Sequence, residues 1–348
     1  MASLCKRDNK IQLWSMENDR LEEIESPMVE HGTVISAIAA SKDGKWIVSG
    51  NDDGVVVIWN TTTLPIQKVG ELKAVKGDGR RITALDISPD SSRIAIGSEN
   101  GMMVIWCIER KERILGPLQH QTMSPVSSIK FSPVGGRIAS SHLDHGRGDC
   151  SIQLWHSRTG ARLESIGNPH STYSLAWSVD GHRLFAGGSA GSIKCFNVLT
   201  RTLVEWRAPS IRDLITSLRV SNSGQILVSM SSGRVNAIDI WNIWSIPPSP
   251  CKPLRSRNEV LMTSISPDDA HLISVGRDND VTLWSLSTLI HKSYLSHVSI
   301  PDLYEFINLI LPFKPLSLSV ADADPVSPTE SRVGCDFTVR TSDTVNVC

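Results

Sequence analysis

The chain has 348 residues, 40% hydrophobic and 20% charged, which is enough apolar material for a packed core and excludes wholesale disorder. Lys and Arg number 35 against 36 Asp and Glu, so the formal net charge of -1 argues against a global electrostatic grip on nucleic acid or acidic lipid. Met1 to Arg20 holds no apolar run of the signal-peptide kind, and the longest apolar stretch, Leu303 to Phe313, carries Glu305 and is too short to span a bilayer.

The first predicted element is a strand at Lys10-Ile11-Gln12-Leu13-Trp14, followed by another from Leu21 to Glu25. The next stretch is richer. Val34 to Ala39 is small and β-branched, as suits a buried strand. Lys42-Asp43-Gly44-Lys45 is a turn, Trp46 to Ser49 a second strand, and Asp52-Asp53-Gly54 a tight hairpin turn. Val55 to Trp59 is a third strand, and a polar fourth near Pro65 to Glu71 has the character of an edge.

That unit recurs. Aliphatic-Trp strands end at Trp14, Trp59, Trp106, Trp155 and Trp284, and two more units keep the frame without Trp, at Ser192 to Phe196 and Arg234 to Ile238. Upstream of each full unit stands a serine turn: Ser41, Ser88, Ser132, Ser178, Ser221 and Ser266, stepping by 47, 44, 46, 43 and 45 residues. Four short strands in about 40–45 residues is the size of a propeller blade, and such a sheet covers both its faces only by stacking on neighbours. The expected fold is therefore all-β, a β-propeller of four-stranded antiparallel blades: six full blades and a seventh that is partial or closed by the two termini. Residues 1–298 are expected to form it. Residues 299–348 are a C-terminal tail, with a short helix near 301–311 and the remainder either loop or strands for the seventh blade. In the latter case Leu316 to Ala321 and Arg332 to Val339 would supply its first two strands, completed by residues 10–25.

His31, Ser49, Asp53 and Trp59 resemble the hydrogen-bonded quartet of the WD-repeat propeller family. The resemblance implies that the Asp accepts from the His ring, which bridges through the Ser hydroxyl to the Trp N–H, fixing the blade rather than performing chemistry. Ser140, Asp149 and Trp155 keep three members, as do Ser274, Asp278 and Trp284. Ile96 and Asn100 replace Ser and Asp beside Trp106, and the Phe196 unit has lost most of the set. His120 and His170 stand where the family's structural His stands.

Little else reads as a chemical site. The unit ending at Trp155 has a lengthened hairpin in which His142, Asp144, His145 and Cys150 are of metal-ligating type. Their spacing matches no named site, and a polar loop gives the same string. No serine elbow, phosphate-cradling glycine loop or paired-cysteine motif is present, and Gly135-Gly136 and Gly187-Gly188 read as turn or bulge glycines. Seven cysteines without paired spacing read as reduced thiols, pointing to the cytoplasm or nucleus. Trp241 and Trp244 read as packing the fourth strand of their blade, or as an exposed aromatic anchor.

The resulting expectation is a non-enzymatic, monomeric scaffold with no cofactor, binding protein or peptide partners and neither nucleic acid nor membrane. The resemblance places partners near the loops before each inner strand, where Arg80, Arg81, Tyr173 and Arg212 fall. Those arginines suit an acidic or phosphorylated ligand. The alternatives are a ubiquitin-ligase adaptor, using Arg158 three residues after Trp155, a G-protein β-like subunit, or a propeller-based enzyme. Such an enzyme needs clustered acids and bases around the funnel, whereas the inner strands are rich in Ser, Ala, Ile and Leu.

Overall fold

The computed structural model describes residues 2–5, 10–17, 20–28, 31–63, 65–73, 80–119, 123–143, 151–167, 171–189, 191–208, 214–231, 237–244, 248–251, 253–256, 260–266, 268–276 and 281–286. Each unit marked by a serine turn folds there as one antiparallel sheet. Blade 1 runs β4 (Ile35–Ala40), β5 (Trp46–Asn51), β6 (Val55–Asn60) and β7 (Gln67–Lys73), paired in chain order. Blade 2 is β8 (Ile82–Ile87), β9 (Arg93–Ser98), β10 (Met102–Cys107) and β11 (Glu112–Gln119). Blade 3 is β12 (Val126–Phe131), β13 (Arg137–His142), β14 (Ser151–His156) and β15 (Arg162–Gly167). Blade 4 is β16 (Thr172–Trp177), β17 (Arg183–Gly188), β18 (Ser192–Asn197) and β19 (Thr202–Arg207). In blade 5, β20 (Ile215–Val220), β21 (Ile226–Ser231) and β22 (Ala237–Asn242) are followed by a split fourth strand, β23 (Ser249–Pro250) and β24 (Leu254–Arg255), both on β22. Blade 6 is described for β25 (Val260–Ile265), β26 (His271–Gly276) and β27 (Val281–Ser285).

An N-terminal sheet precedes these: β1 (Ala2–Cys5), β2 (Lys10–Glu17) and β3 (Arg20–Met28), in that order. Its β2 and β3 are the expected third and fourth strands. The expectation that both inner strands are missing is corrected by β1, which pairs Ala2 with Leu13 and Leu4 with Ile11. The second-strand place that Arg332 to Val339 would have taken beside β2 is thus held by the N-terminus. The tail, its strands and the helix near 301–311 lie outside the described residues.

The inner strands β4, β8, β12, β16, β20 and β25 contact one another in succession, which is the propeller arrangement. The core is accordingly divided into slabs, one between each pair of consecutive sheets. Ile11 joins Ile35, Ile38, Val57 and Trp59 between the N-terminal sheet and blade 1. Val56, Ile58, Ile82 and Ile94 fill the next slab, and the last holds Val228, Ile240, Val260 and Leu272. Glycines on second strands let blades approach. A Cβ on Gly50 would stand 2.6 Å from Ile82 Cγ2, and one on Gly187 equally close to Ile215 Cγ2. Gly187 stands near the end of β17 opposite the register slip in β16, as expected of a bulge glycine, and it is also covered by the next blade.

The serine turns repeat one geometry. Ser41 Oγ donates to Asp43 Oδ1 at 2.6 Å and accepts the Trp46 N–H at 2.9 Å, and Gly44 takes the left-handed backbone at φ 71°. Ser88 with Asp90, Ser178 with Asp180 and Ser266 with Asp268 repeat the pair at 2.5 Å. The Ser41 hydroxyl leads in holding Asp43 below the ordinary carboxylate range, as the Ser266 hydroxyl does for Asp268. For Asp90 and Asp180, burial pushes upward but is outweighed by hydrogen bonds, led by Ser88 and Ser178, and the net shift is again down.

Candidate partner-binding surface

Tryptophan–serine pairs lock the blades. Trp59 Nε1 donates to Ser49 Oγ at 2.8 Å, and His31 Nε2 lies 2.6 Å from the same oxygen, with the two rings 6.5 Å apart. Trp155 donates to Ser140 and Trp284 to Ser274, each at 2.8 Å. Asp53 stands apart from this network. Its side chain is exposed on the hairpin turn, whose shape is set instead by Asn51 Oδ1 accepting the Asp53 and Val55 N–H groups. The neighbouring Asp52 reaches across the blade boundary to Arg81 Nε at 3.2 Å. Asp149, Asp278, His120 and His170 lie outside the described residues.

A fourth pair was not foreseen. Trp241 is on the third strand of blade 5, 2% exposed, and donates to Ser229 Oγ at 2.9 Å. The strand read as Arg234 to Ile238 is really β22, and Trp241 holds the place assigned to Ile238. Trp244 lies just beyond it and is exposed. Blade 2 shows the reverse case: with Ile96 in place of the serine, the Trp106 indole N–H has no hydrogen-bond partner among the described residues.

The face on which the second-to-third-strand turns lie also carries the starts of the inner strands. There, one backbone feature repeats six times. At the second residue of each inner strand (Ser36, Thr83, Ser127, Tyr173, Thr216 and Leu261) the pairing register slips. Such a bulge re-aims a side chain and is found beside functional surfaces. The residue after it is Ala37, Ala84, Ser128, Ser174 or Ser217 in five blades, all buried, and that small residue was the available sequence signal. Ser36 Oγ donates to the Ile82 carbonyl at 2.6 Å and Ser127 Oγ to the Thr172 carbonyl at 2.5 Å, so the bulges of blades 1 and 3 tie each blade to the next. In blade 4 the bulge presents Tyr173, half-buried.

Arg80 is exposed at the entry to β8, and Gly54 (φ 76°) lets its backbone pass close by, since a Cβ there would stand 2.8 Å from the Arg80 carbonyl. Arg80, Arg81 and Asp52 thus form one cluster at the junction of blades 1 and 2. Tyr173 stands at the same face in blade 4, and Arg212 lies outside the described residues. Elsewhere, Cys195 on β18 is buried, which pushes its thiol up to about 11. Among the described residues no three His, Cys, Asp or Glu side chains converge to hold a metal ion. Asp144, His145 and Cys150 lie outside the described residues, while His142 is buried at the end of β13. No helix among the described residues is long and apolar enough to cross a membrane.

Four stretches, residues 24–60, 69–107, 113–156 and 163–197, match the family described as "WD domain, G-beta repeat". The chain is 24% identical over 156 residues to Autophagy-related protein 16 of Arabidopsis thaliana, covering 43% of this chain and 30% of that protein. It is 25% identical over 191 residues to WD repeat-containing protein 1 of Xenopus tropicalis, covering 51% and 30%. With the guanine nucleotide-binding protein subunit beta of Solanum tuberosum it shares 32% identity over 91 residues, 24% of this chain and 23% of the relative. The chain therefore spans less than a third of the length of these relatives. Among solved structures, the Cps50 (Swd1) β-propeller domain of Myceliophteria thermophila superposes with a TM-score of 0.62 at 16% identity, over 74% of this chain and 83% of that one. Matched repeats, serine-tied tryptophans and successive blades agree: this chain is a WD-repeat β-propeller.

Proposed function

We propose that the chain is a non-enzymatic scaffold, acting in the cytoplasm or nucleus, that holds protein or peptide partners on the face built from the bulged starts of its inner strands. The observation that carries this reading is the bulge repeated in six blades. The backbone device is constant, while among the described side chains its residue changes from Ser36 and Ser127 to Thr83, Thr216 and Tyr173. Ser36 and Ser127 are taken up by the next blade, so the half-buried Tyr173 is the side chain this frame offers to a partner. The Arg80, Arg81 and Asp52 cluster on the same face adds charge, and Tyr and Arg are the residue types enriched at binding hot spots.

The test is affinity capture with quantitative mass spectrometry, comparing the chain with a folded Arg80→Glu/Arg81→Glu/Tyr173→Ala variant. A stable partner retained by the parent and lost by the variant supports the reading. Turnover of a small molecule by the purified protein, or capture indifferent to these substitutions, overturns it.

A further inference from the structure

We propose that the opposite face of blades 3 to 5 is a second docking surface, shaped for a protein segment that joins apolar anchors to acidic flanks. In blades 1 to 5 the first-to-second-strand turn and the third-to-fourth-strand turn emerge on that opposite face. The two are tied together: Ser157 N–H donates to the Gly136 carbonyl, Val198 to His182 and Ile243 to Gln225. Exposed large apolar side chains gather there. Val134 and Val179 are on the first turns of blades 3 and 4, Leu199 and Trp244 at equivalent places on the second turns of blades 4 and 5, and Leu163 and Leu203 start the fourth strands beside them. Leu199 is 61% exposed, Trp244 64% and Val134 62%. The Asn197 carboxamide accepts the Leu199 N–H at 2.9 Å, and Asn242 accepts that of Trp244 at 3.0 Å, so one turn geometry presents both side chains.

These groups form a continuous sector. A Cβ on Gly181 would stand 2.8 Å from Val134 Cγ2, and one on Gly224 3.4 Å from Val179 Cγ2, so each apolar turn abuts the turn of the next blade. Arg183 Nη1 donates to the Ile243 carbonyl at 2.6 Å, drawing the Trp244 turn against blade 4. On blades 1 and 2 the place of Val134 is held by Asp43 and Asp90, that of Val179 by Lys42 and Pro89, and those of Leu199 and Trp244 by Thr62 and Glu109. A clustered apolar patch on one sector marks an interaction site rather than scattered exposure.

Charge indicates the occupant. Arg158, Arg162 and Arg201 are exposed among these turns, and no ion pair joins any of them to a described residue. Asp180 and Glu164 are the acids inside the sector and Asp269 of blade 6 stands at its edge; Asp180 already accepts from Ser178 and the His182 N–H, and Asp269 from the Asn222 and Ser223 N–H groups. An apolar segment with Asp or Glu beside its anchors would satisfy both features.

A random 16-residue peptide display library selected on the full chain tests this. Selected peptides are expected to combine Trp, Phe or Leu with acidic residues. Their binding should fall at least tenfold for a Leu199→Asp/Trp244→Asp variant and for an Arg158→Glu/Arg201→Glu variant. It should be unchanged for Arg80→Glu/Arg81→Glu/Tyr173→Ala on the other face, which separates this proposal from the scaffold face above. All substituted side chains on the patch are exposed, and matching circular dichroism confirms that the variants fold. Basic binders, no enrichment, or binding indifferent to the patch variants overturns the proposal. So does a dimer, seen by light scattering, that the Trp244→Asp substitution dissolves, since the face would then serve a second copy.

Discussion

Removing the Ser49 hydroxyl tests how the blades are held. Ser49→Ala deletes only one oxygen, but two buried groups lean on it: the Trp59 indole N–H at 2.8 Å and His31 Nε2 at 2.6 Å. Trp59 is 2% exposed and His31 7%, so water does not readily replace the lost partner. A buried polar group left unsatisfied costs about 1–3 kcal/mol. Some relaxation around the imidazole brings the sum for both to about 2–4 kcal/mol. Unfolding entropy of about 2.1 cal/mol/K per residue implies that each kcal/mol moves the midpoint of so long a chain by roughly 1–2 °C. Calorimetry should then show the transition of Ser49→Ala lowered by about 3–6 °C. The pairing itself is isolated by a double-mutant cycle with Trp59→Phe, which removes the indole N–H. Once Ser49 is gone, that second change should cost about 1–2 kcal/mol less than it does in the parent. A Ser49→Ala transition within 1 °C of the parent, or strictly additive changes, would refute the argument.

Other predictions follow from the same geometry. Gly187→Ala forces a Cβ to 2.6 Å from Ile215 Cγ2 and should cost about 1–3 kcal/mol in thermal stability, whereas Gly32→Ala, with open space around it, should be near neutral. Asp269 accepts the Asn222 and Ser223 N–H groups at 2.7 and 2.6 Å, so Asp269→Ala should speed hydrogen exchange at these two amides while leaving that at Gly44 unchanged. Asp268 is held below its ordinary value of 3.8, so its stabilising contribution is complete above that value and is lost as pH falls through the lowered one. The melting difference between parent and Asp268→Ala should therefore be constant from pH 7 to about 5 and close in stronger acid. Cys195, with its thiol pushed up to about 11, should resist alkylation at pH 8 in the native protein and react on unfolding, as peptide mass spectrometry would show.

The blades were legible because their turns are written in local chemistry. A serine followed two residues later by aspartate closes its own loop, and an aliphatic run ending in Trp marks the strand that must be buried. The fifth unit was misread because its Trp241 stands 20 residues after Ser221, two beyond the spacing of 18 kept by most of the others, and Ile238, at 17, lay nearer that frame. Asp53 was misassigned because the competition is settled across blades. Asn51 holds the turn, and Asp52 finds Arg81, a partner 29 residues on that no local pattern reveals. Beyond the bulge glycines read at Gly187-Gly188, the bulges were missed for a related reason: in blades 1 and 3 the bulged serine bonds a carbonyl of the next inner strand, a partner far away in sequence. The apolar sector of blades 3 to 5 consists of residues far apart in sequence and gathered by the ring alone.

The scaffold reading is tested most directly by photocrosslinking in cells from Tyr173 replaced with p-benzoylphenylalanine, with the same substitution at Thr62 on the opposite face as control. The account predicts one protein, the same that the unmodified chain captures, joined through position 173 and not through position 62. Crosslinking from position 62 alone, or no protein adduct from position 173 or from Thr83 and Thr216 at the other bulges, would contradict it.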